Sequence, residues 1–117
     1  MAPVGASILV VEDDPSLRLV CRVNLELESF RVREAAGIEE ARAAVAAERP
    51  DLVFLDLHLG AGASDGFLEE LRDDGIPVVL VSGTVDVTEY EGQANAVMPK
   101  PFDPADLVAA AHRHAAS

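Results

Sequence analysis

The sequence predicts an α/β fold in which helices cover both faces of one parallel sheet. Short, unbroken apolar runs recur along the chain, as is typical of strands that are buried on both faces. Stretches with helical spacing of apolar residues follow these runs, so that strand and helix alternate five times. The 117 residues suffice for one domain with a substantial core. We therefore expect a doubly wound, five-stranded sheet with the strand order 2-1-3-4-5.

The first strand, the first helix and the second strand have clear boundaries. The apolar run 7–11 is the first strand, and Asp14 and Pro15 then supply an N-cap and a first helical residue. The helix that they open runs to Ser29. The segment 30–33 alternates apolar and charged residues, which predicts a half-exposed second strand at an edge of the sheet.

The middle of the chain contains the second helix, the third strand and the third helix. The second helix spans about residues 38–48, and Pro50 prevents its continuation. The third strand is predicted at 51–56. A loop rich in glycine, alanine and serine, residues 57–65, separates it from a third helix at 66–72.

The last part of the chain contains the fourth and fifth strands and the last helix. The fourth strand covers 78–81. Residues 83–93 contain β-branched residues and a glycine, which predicts a helix that is shortened or irregular. The fifth strand is predicted at 94–98, and the last helix begins with Asp103 as N-cap and Pro104 at its first position.

Composition limits the expected partners and compartment. The formal net charge of −12 argues against nucleic acid and anionic membranes, because both attract clustered basic residues. No apolar stretch approaches the length of a membrane span, and the first residues lack the features of a signal peptide. Cys21 is the only cysteine, which excludes an intrachain disulfide. We expect a cytoplasmic protein that forms a single domain, residues 1–117, without a separate output domain.

Four strand ends carry polar residues of different chemistry. In chain order these are Glu12 and Asp13, Asp56, Ser82 and the only lysine, Lys100. Open parallel sheets place their chemistry beyond the carboxyl ends of the strands, so we expect these side chains in one crevice. Crowded carboxylates repel one another, and a hard cation such as Mg²⁺ or Mn²⁺ relieves this repulsion. A hydroxyl and an ammonium group can bind phosphoryl oxygens, so the set predicts a site for a cation and a phosphoryl group.

Each of these groups also has an ordinary structural interpretation. Taken alone, Glu12–Asp13 fits a solvated turn, Asp56 a cap, Ser82–Gly83 a loop and Lys100–Pro101 a surface turn. Their joint occurrence at four strand ends favours the shared pocket.

The same residues resemble a known family. The segments Ile8–Asp14, Leu55–Leu57, Leu80–Gly83 and Lys100–Phe102 look like the receiver domain of two-component response regulators. The resemblance covers essentially the whole chain, in order and with near-expected spacing. It implies the flavodoxin-like version of the predicted fold. It also implies a signalling module that accepts a phosphoryl group, rather than an enzyme that turns over a free metabolite.

The resemblance assigns a role to each residue of the predicted site. Asp56 would accept a phosphoryl group from phosphohistidine on a sensor histidine kinase or a phosphotransfer protein, and a downstream protein would read the result. Mg²⁺ would be bound by Asp13, Asp56 and the backbone carbonyl of His58, with Glu12 completing the acidic pair. Ser82 would supply the switch hydroxyl, and Gly83 would be the small residue beside the phosphoryl group. Lys100 would supply the ammonium group that pairs with the phosphoryl group.

The chain departs from the family pattern in three places. The loop after Asp56 is about two residues longer than usual. The segment between Ser82 and Lys100 is several residues shorter, and Val97 replaces an aromatic residue that normally responds to the switch hydroxyl. Thr84 and Val97 are therefore candidates for tuning the site. These changes concern the usual output face, built from the helix before the fifth strand, that strand and the last helix.

Three other functions are weaker alternatives from the sequence. A pseudo-receiver, which binds partners independently of phosphorylation, fits the shortened segment and Val97. A haloacid-dehalogenase-type phosphatase uses a similar set of groups, but that family requires a second aspartate two residues after the nucleophile, where this chain has His58. A flavin-binding function ranks last, because acidic residues after the first strand repel phosphate.

Overall fold

The computed structural model describes residues 5–57, 63–83 and 92–115. The strands are Ser7–Val11 (β1), Arg31–Ala35 (β2), Leu52–Asp56 (β3), Val78–Ser82 (β4) and Ala96–Pro99 (β5). The helices in the described residues are Pro15–Leu27 (α1), Ile38–Ala47 (α2), Ala63–Asp73 (α3) and Pro104–His114 (α4).

All five strands form one parallel sheet in the order β2-β1-β3-β4-β5. The predicted fold class and strand order are therefore confirmed. The register aligns the carboxyl ends of the strands that carry the candidate site. Val11 pairs with Leu55, Asp56 pairs with Val81, and Ser82 pairs with Pro99. Residues that follow these positions must emerge at the same edge of the sheet.

The sheet separates two hydrophobic cores, because successive strand residues point to opposite faces. On one face, Ile8 and Val10 of β1 pack in a core with residues of α1 and α4. On the other face, Leu9 and Val11 pack in a core with residues of α2 and α3. β1, β3 and β4 are buried along their whole length, which explains why they appear in the sequence as unbroken apolar runs.

Several boundaries differ from those predicted. β2 begins at Arg31 rather than at Phe30, because the chain turns at Ser29 (φ 70°) and the Phe30 amide still donates to the Leu25 carbonyl. α3 begins at Ala63, three residues before the predicted start. β5 begins at Ala96, two residues late, and the side chain of Asn95 accepts a hydrogen bond from the Val78 amide at 3.0 Å.

The two predicted N-caps have different outcomes. The Asp14 side chain accepts a hydrogen bond from the Ser16 amide at 2.9 Å, as the sequence predicts. Asp103 precedes α4 in an extended conformation but makes no side-chain capping bond; its carbonyl instead accepts from the amides of Asp106 and Leu107. The shortened helix predicted between β4 and β5 falls largely on residues 84–91, which lie outside the described residues. Within the described ranges, no helix combines the length and apolarity needed to cross a membrane.

Candidate functional site

Three carboxylates meet at the carboxyl ends of β1 and β3. Glu12 and Asp13 follow β1 directly, and Asp56 is the last residue of β3. One oxygen from each of the three groups lies within 4.8 Å of the others. They meet because Val11 and Leu55 pair across adjacent strands, which brings the next residues on both strands together. Glu12 and Asp56 are buried, whereas Asp13 is exposed at the mouth of the site.

The Lys100 side chain reaches these carboxylates from the end of β5, the strand at one edge of the sheet. Its Nζ lies 2.7 Å from Glu12 Oε1 and 3.4 Å from Asp56 Oδ2. The Lys100 amide donates to the Ser82 carbonyl at 2.8 Å, which extends the pairing of β4 and β5 by one residue. The Lys100–Pro101 peptide bond is cis. An ammonium group from residue 100 thus reaches acids that precede it by more than 40 residues.

The electrostatics of the site favour an additional cation. Burial raises the pKa of Glu12 to about 7; the nearby Asp13 and Asp56 act in the same direction, while the hydrogen bond from Lys100 opposes the shift. Burial also acts against the charge of Lys100, yet the bond to Glu12 and the charge of Asp56 raise the pKa of its ammonium group. One ammonium group therefore does not fully compensate the three carboxylates, and Glu12 keeps its proton to a higher pH than an ordinary glutamate does.

The donor set suits a hard divalent cation. All three groups offer carboxylate oxygens, the ligands that Mg²⁺ and Mn²⁺ prefer, and the part of the chain that the structure describes contains no other comparable cluster of acids, histidine or cysteine. The acidic cluster can therefore hold a metal ion. His58, whose backbone carbonyl is also a predicted ligand, lies outside the described residues.

Ser82 and Gly83 lie beside this cluster. Ser82 ends β4 and is buried, one residue beyond the Val81 that pairs with Asp56. Gly83 is exposed, and a Cβ added to it would lie 4.0 Å from the Lys100 Cβ, which is ordinary contact. A small side chain would therefore also fit at position 83 without a clash.

Val97, one of the two candidate tuning residues, is not part of this cluster. Val97 pairs with Leu80 in the middle of β5 and packs on the core beneath α2 and α3. It also lines a groove of about 380 Å³ between β5 and α4. Thr84 lies outside the described residues, so its predicted role stays a prediction.

Sequence reasoning missed Arg18. Its Nη1 donates to the Glu12 carbonyl at 2.9 Å and lies 3.4 Å from the Asp13 carbonyl. Its Nε lies 3.4 Å from Glu34 Oε1 on the neighbouring strand β2. A basic residue one turn into the helix that follows an acidic segment is the available sequence signal, because such a residue can reach back to the segment.

The comparisons with known proteins identify the family. The family model described as the response regulator receiver domain matches residues 8–112. The chain therefore belongs to the response regulator receiver domain family, the regulatory modules of two-component systems. The resemblance inferred from the sequence is thus confirmed.

Individual relatives agree with this assignment. The DNA-binding response regulator MtrA of Mycolicibacterium smegmatis is 37% identical over 107 residues, which are 87% of this chain and 47% of the relative. The KDP operon transcriptional regulatory protein KdpE of Escherichia coli is 31% identical over 120 residues, 95% of this chain and 53% of the relative. A response regulator receiver domain protein (CheY-like) from Methanospirillum hungatei superimposes with a TM-score of 0.83 at 26% identity, covering 92% of this chain and 91% of that one. The chain spans about half the length of the curated relatives it matches.

One prediction about partners is wrong. The net charge of −12 was expected to exclude nucleic acid, yet the relatives include a DNA-binding response regulator and transcriptional regulatory proteins. The physical reason is that net charge describes only the surface of the chain that carries it. It does not limit what a regulator in this family binds through other segments.

Proposed function

We propose that this receiver accepts a phosphoryl group on Asp56 from phosphohistidine of a sensor histidine kinase or a phosphotransfer protein, with Mg²⁺ or Mn²⁺ as cofactor. One observation carries the proposal: Asp56 is buried at the centre of a set that contains two further carboxylates within 4.8 Å and the Lys100 ammonium at 3.4 Å. A buried carboxylate with both an acidic cluster and an ammonium group beside it suits a phosphoryl acceptor.

The transfer exchanges one bond for another. A carboxylate oxygen of Asp56 forms a bond to phosphorus while the nitrogen–phosphorus bond of the donor breaks, and the imidazole nitrogen retains that electron pair. Lys100 shares its charge between Glu12 and Asp56 before transfer. Afterwards it is placed to neutralise a phosphoryl oxygen on Asp56, and the Ser82 hydroxyl is proposed to donate to another.

The proposed cation ligands are Asp13, Asp56 and the backbone carbonyl of residue 58, with Glu12 beside them. When bound, the cation neutralises charge on the transferring phosphoryl group and on the crowded acids. Asp13 is exposed at the mouth, so it can take up a hydrated cation from solvent. Glu12 is buried against Lys100, which suits it to an outer position that orients the others.

Helix α1 supports a protein donor. The large apolar side chains that are exposed among the described residues all lie on α1: Leu19, Val20, Val23 and Leu27. Their spacing places them on one side of the helix, opposite the buried Cys21 and Leu25. The steps from Val20 to Val23 and from Val23 to Leu27 are three and four residues, the spacing found along the seam of two packed helices. Because α1 begins directly after the acidic segment, a helix docked there would reach the mouth of the site.

The output is proposed to be a changed interaction with a downstream protein. Relatives are named as DNA-binding or transcriptional regulators, so we propose that the downstream event acts on DNA. Phosphorylation would shift an existing equilibrium between two arrangements of the receiver.

Incubation with Mg²⁺ and acetyl phosphate tests the proposal. The intact mass should rise by one phosphoryl group, and the gain should disappear in Asp56→Asn and after chelation of the metal. Asp74→Asn is the matched control, because Asp74 is an exposed acid in a turn away from the site and its removal should leave the mass gain unchanged. A wild-type chain that stays unmodified under these conditions would contradict the proposal and favour the pseudo-receiver.

A further inference from the structure

The acidic segment between β1 and α1 needs support before it can bind a cation. Glu12, Asp13 and Asp14 belong to neither the strand nor the helix. The Glu12 amide donates to the Ala35 carbonyl at 3.0 Å, and the Asp14 amide lies 3.2 Å from Glu12 Oε2. These bonds hold amides of the segment. The carbonyls of Glu12 and Asp13 need donors of their own, from a side chain or from water.

Arg18 supplies such a donor. Its Nη1 is 2.9 Å from the Glu12 carbonyl oxygen and 3.4 Å from that of Asp13, so one guanidinium nitrogen lies against two successive peptide groups. The Arg18 amide donates to the Asp14 carbonyl at 3.0 Å, which places the residue in the first turn of α1. From there its side chain, 20% exposed, turns back over the segment.

Glu34 holds the guanidinium in place and offsets its charge. Glu34 Oε1 lies 3.4 Å from the Arg18 Nε, and its other oxygen accepts from the Arg22 Nη1 at 2.7 Å. Glu34 lies on β2 opposite Val10, next to the strand that leads into the acidic segment. A positive group so close to the carboxylates would disfavour a divalent cation, and the charge of Glu34 reduces that effect.

We propose that Arg18 is a positioning residue for the cation site. It fixes the backbone of Glu12 and Asp13 so that both carboxylates stay directed at Asp56, and Glu34 fixes Arg18. The proposal rests on the proposed function, since it assumes that the acidic cluster binds Mg²⁺. Groups that orient metal ligands without touching the metal typically change affinity by about 10- to 100-fold when they are removed.

Calorimetric titration of the unphosphorylated chain with Mg²⁺ tests this role. Arg18→Gln should weaken Mg²⁺ binding about tenfold or more. Arg22→Gln is the matched control, because Arg22 lies on the same helix and pairs with the same Glu34, yet forms no bond to the acidic segment. It should retain the wild-type affinity.

A second readout separates positioning from a general loss of structure. In phosphorylation by acetyl phosphate, Arg18→Gln should require more Mg²⁺ for half-maximal rate but reach the wild-type rate at saturation. Arg18→Lys keeps the charge and the helix, and it can serve the carbonyls or Glu34 but not both, so its affinity should fall between those of wild type and Arg18→Gln.

Three results would overturn the proposal. Wild-type Mg²⁺ affinity in Arg18→Gln or Arg18→Lys would show that the segment needs no such support. Equal losses in Arg18→Gln and Arg22→Gln would assign the effect to Glu34 or to helix stability. Absence of Mg²⁺ binding in the wild type would overturn the proposed function itself, and the role of Arg18 with it.

Discussion

Two glutamates of this protein form ion pairs of nearly equal length, and their pKa values move in opposite directions. Glu12 Oε1 lies 2.7 Å from the Lys100 Nζ, and Glu48 Oε1 lies 2.8 Å from the Arg31 Nη2. Burial raises the pKa of Glu12 to about 7. The hydrogen bond and charge of Arg31 lower the pKa of Glu48, which lies at the surface. Contact distance alone therefore does not determine what an ion pair does.

The difference lies in what surrounds each pair. Glu12 is buried next to Asp56 and has Asp13 beside it, so the single positive charge of Lys100 faces three carboxylates. Glu48 has Arg33 as a second basic neighbour and water around it. The Glu12–Lys100 pair leaves negative charge uncompensated in a buried, low-dielectric site, and a bound cation would compensate that charge. The charge of Glu48 is already compensated by Arg31, Arg33 and solvent.

The largest expected effect comes from removing the ammonium group of the buried Glu12–Lys100 pair. Lys100→Met should destabilise the protein by about 3–5 kcal/mol, because it removes the ammonium group that offsets the charge of the buried Glu12 and Asp56 carboxylates. Arg31→Met, the matched change at the surface, should have little effect, since water solvates Glu48 in its absence. Urea denaturation in the presence of a chelator measures both. Equal losses in the two variants would contradict the comparison.

The pH dependence of stability should be smaller and have a defined sign. The pKa of Glu12 in the folded state, about 7, exceeds its ordinary value of 4.5, so the folded state binds this proton more tightly than the unfolded state. Stability should therefore fall as pH rises from 4.5 to 7. The total fall should be roughly 3 kcal/mol, because each pH unit between the two pKa values contributes about 1.4 kcal/mol.

Glu12→Gln removes this titration and should lack the corresponding fall in denaturation curves measured without divalent cations. Glu48→Gln is the control. The pKa of Glu48 is already below its ordinary value, so its removal should leave the slope in this pH range unchanged. A wild-type chain whose stability is level between about pH 5 and about pH 8 relative to Glu12→Gln would contradict the raised pKa.

The smallest expected effect is stabilisation by Mg²⁺. At ten times its dissociation constant, Mg²⁺ should raise the free energy of unfolding by about 1.4 kcal/mol through binding to the folded state alone. Asp13→Asn should reduce this gain, whereas Glu48→Gln should retain it. Thermal unfolding at several Mg²⁺ concentrations provides the measurement, and equal gains in both variants would place the cation elsewhere.

The sequence predicted the sheet well because of how its strands are buried. β1, β3 and β4 are covered on both faces, so selection for burial leaves a continuous apolar run at each. The boundaries of β2 and α3 were less predictable. β2 begins only after the left-handed turn at Ser29, and the start of α3 lies in a glycine- and alanine-rich stretch without a strong start signal.

The sequence predicted which residues form the candidate site better than it predicted the electrostatics of that site. Strand ends in a parallel sheet identify Glu12, Asp13, Asp56 and Lys100 as neighbours, and the structure places them together. The proposed roles of these residues stay predictions. The raised pKa of Glu12 and the contact of Arg18 with the acidic segment depend on side-chain depth and direction, which spacing along the chain does not encode.

The buried position of Cys21 has a practical consequence. It lies in the core between the sheet and α1, and burial raises the pKa of its thiol to about 12. Thiolate is the reactive form, so this sulfur should resist alkylation while the protein is folded. A thiol introduced at an exposed position such as Ala109→Cys, beside the groove between β5 and α4, could then carry a fluorescent label selectively without removal of the native cysteine.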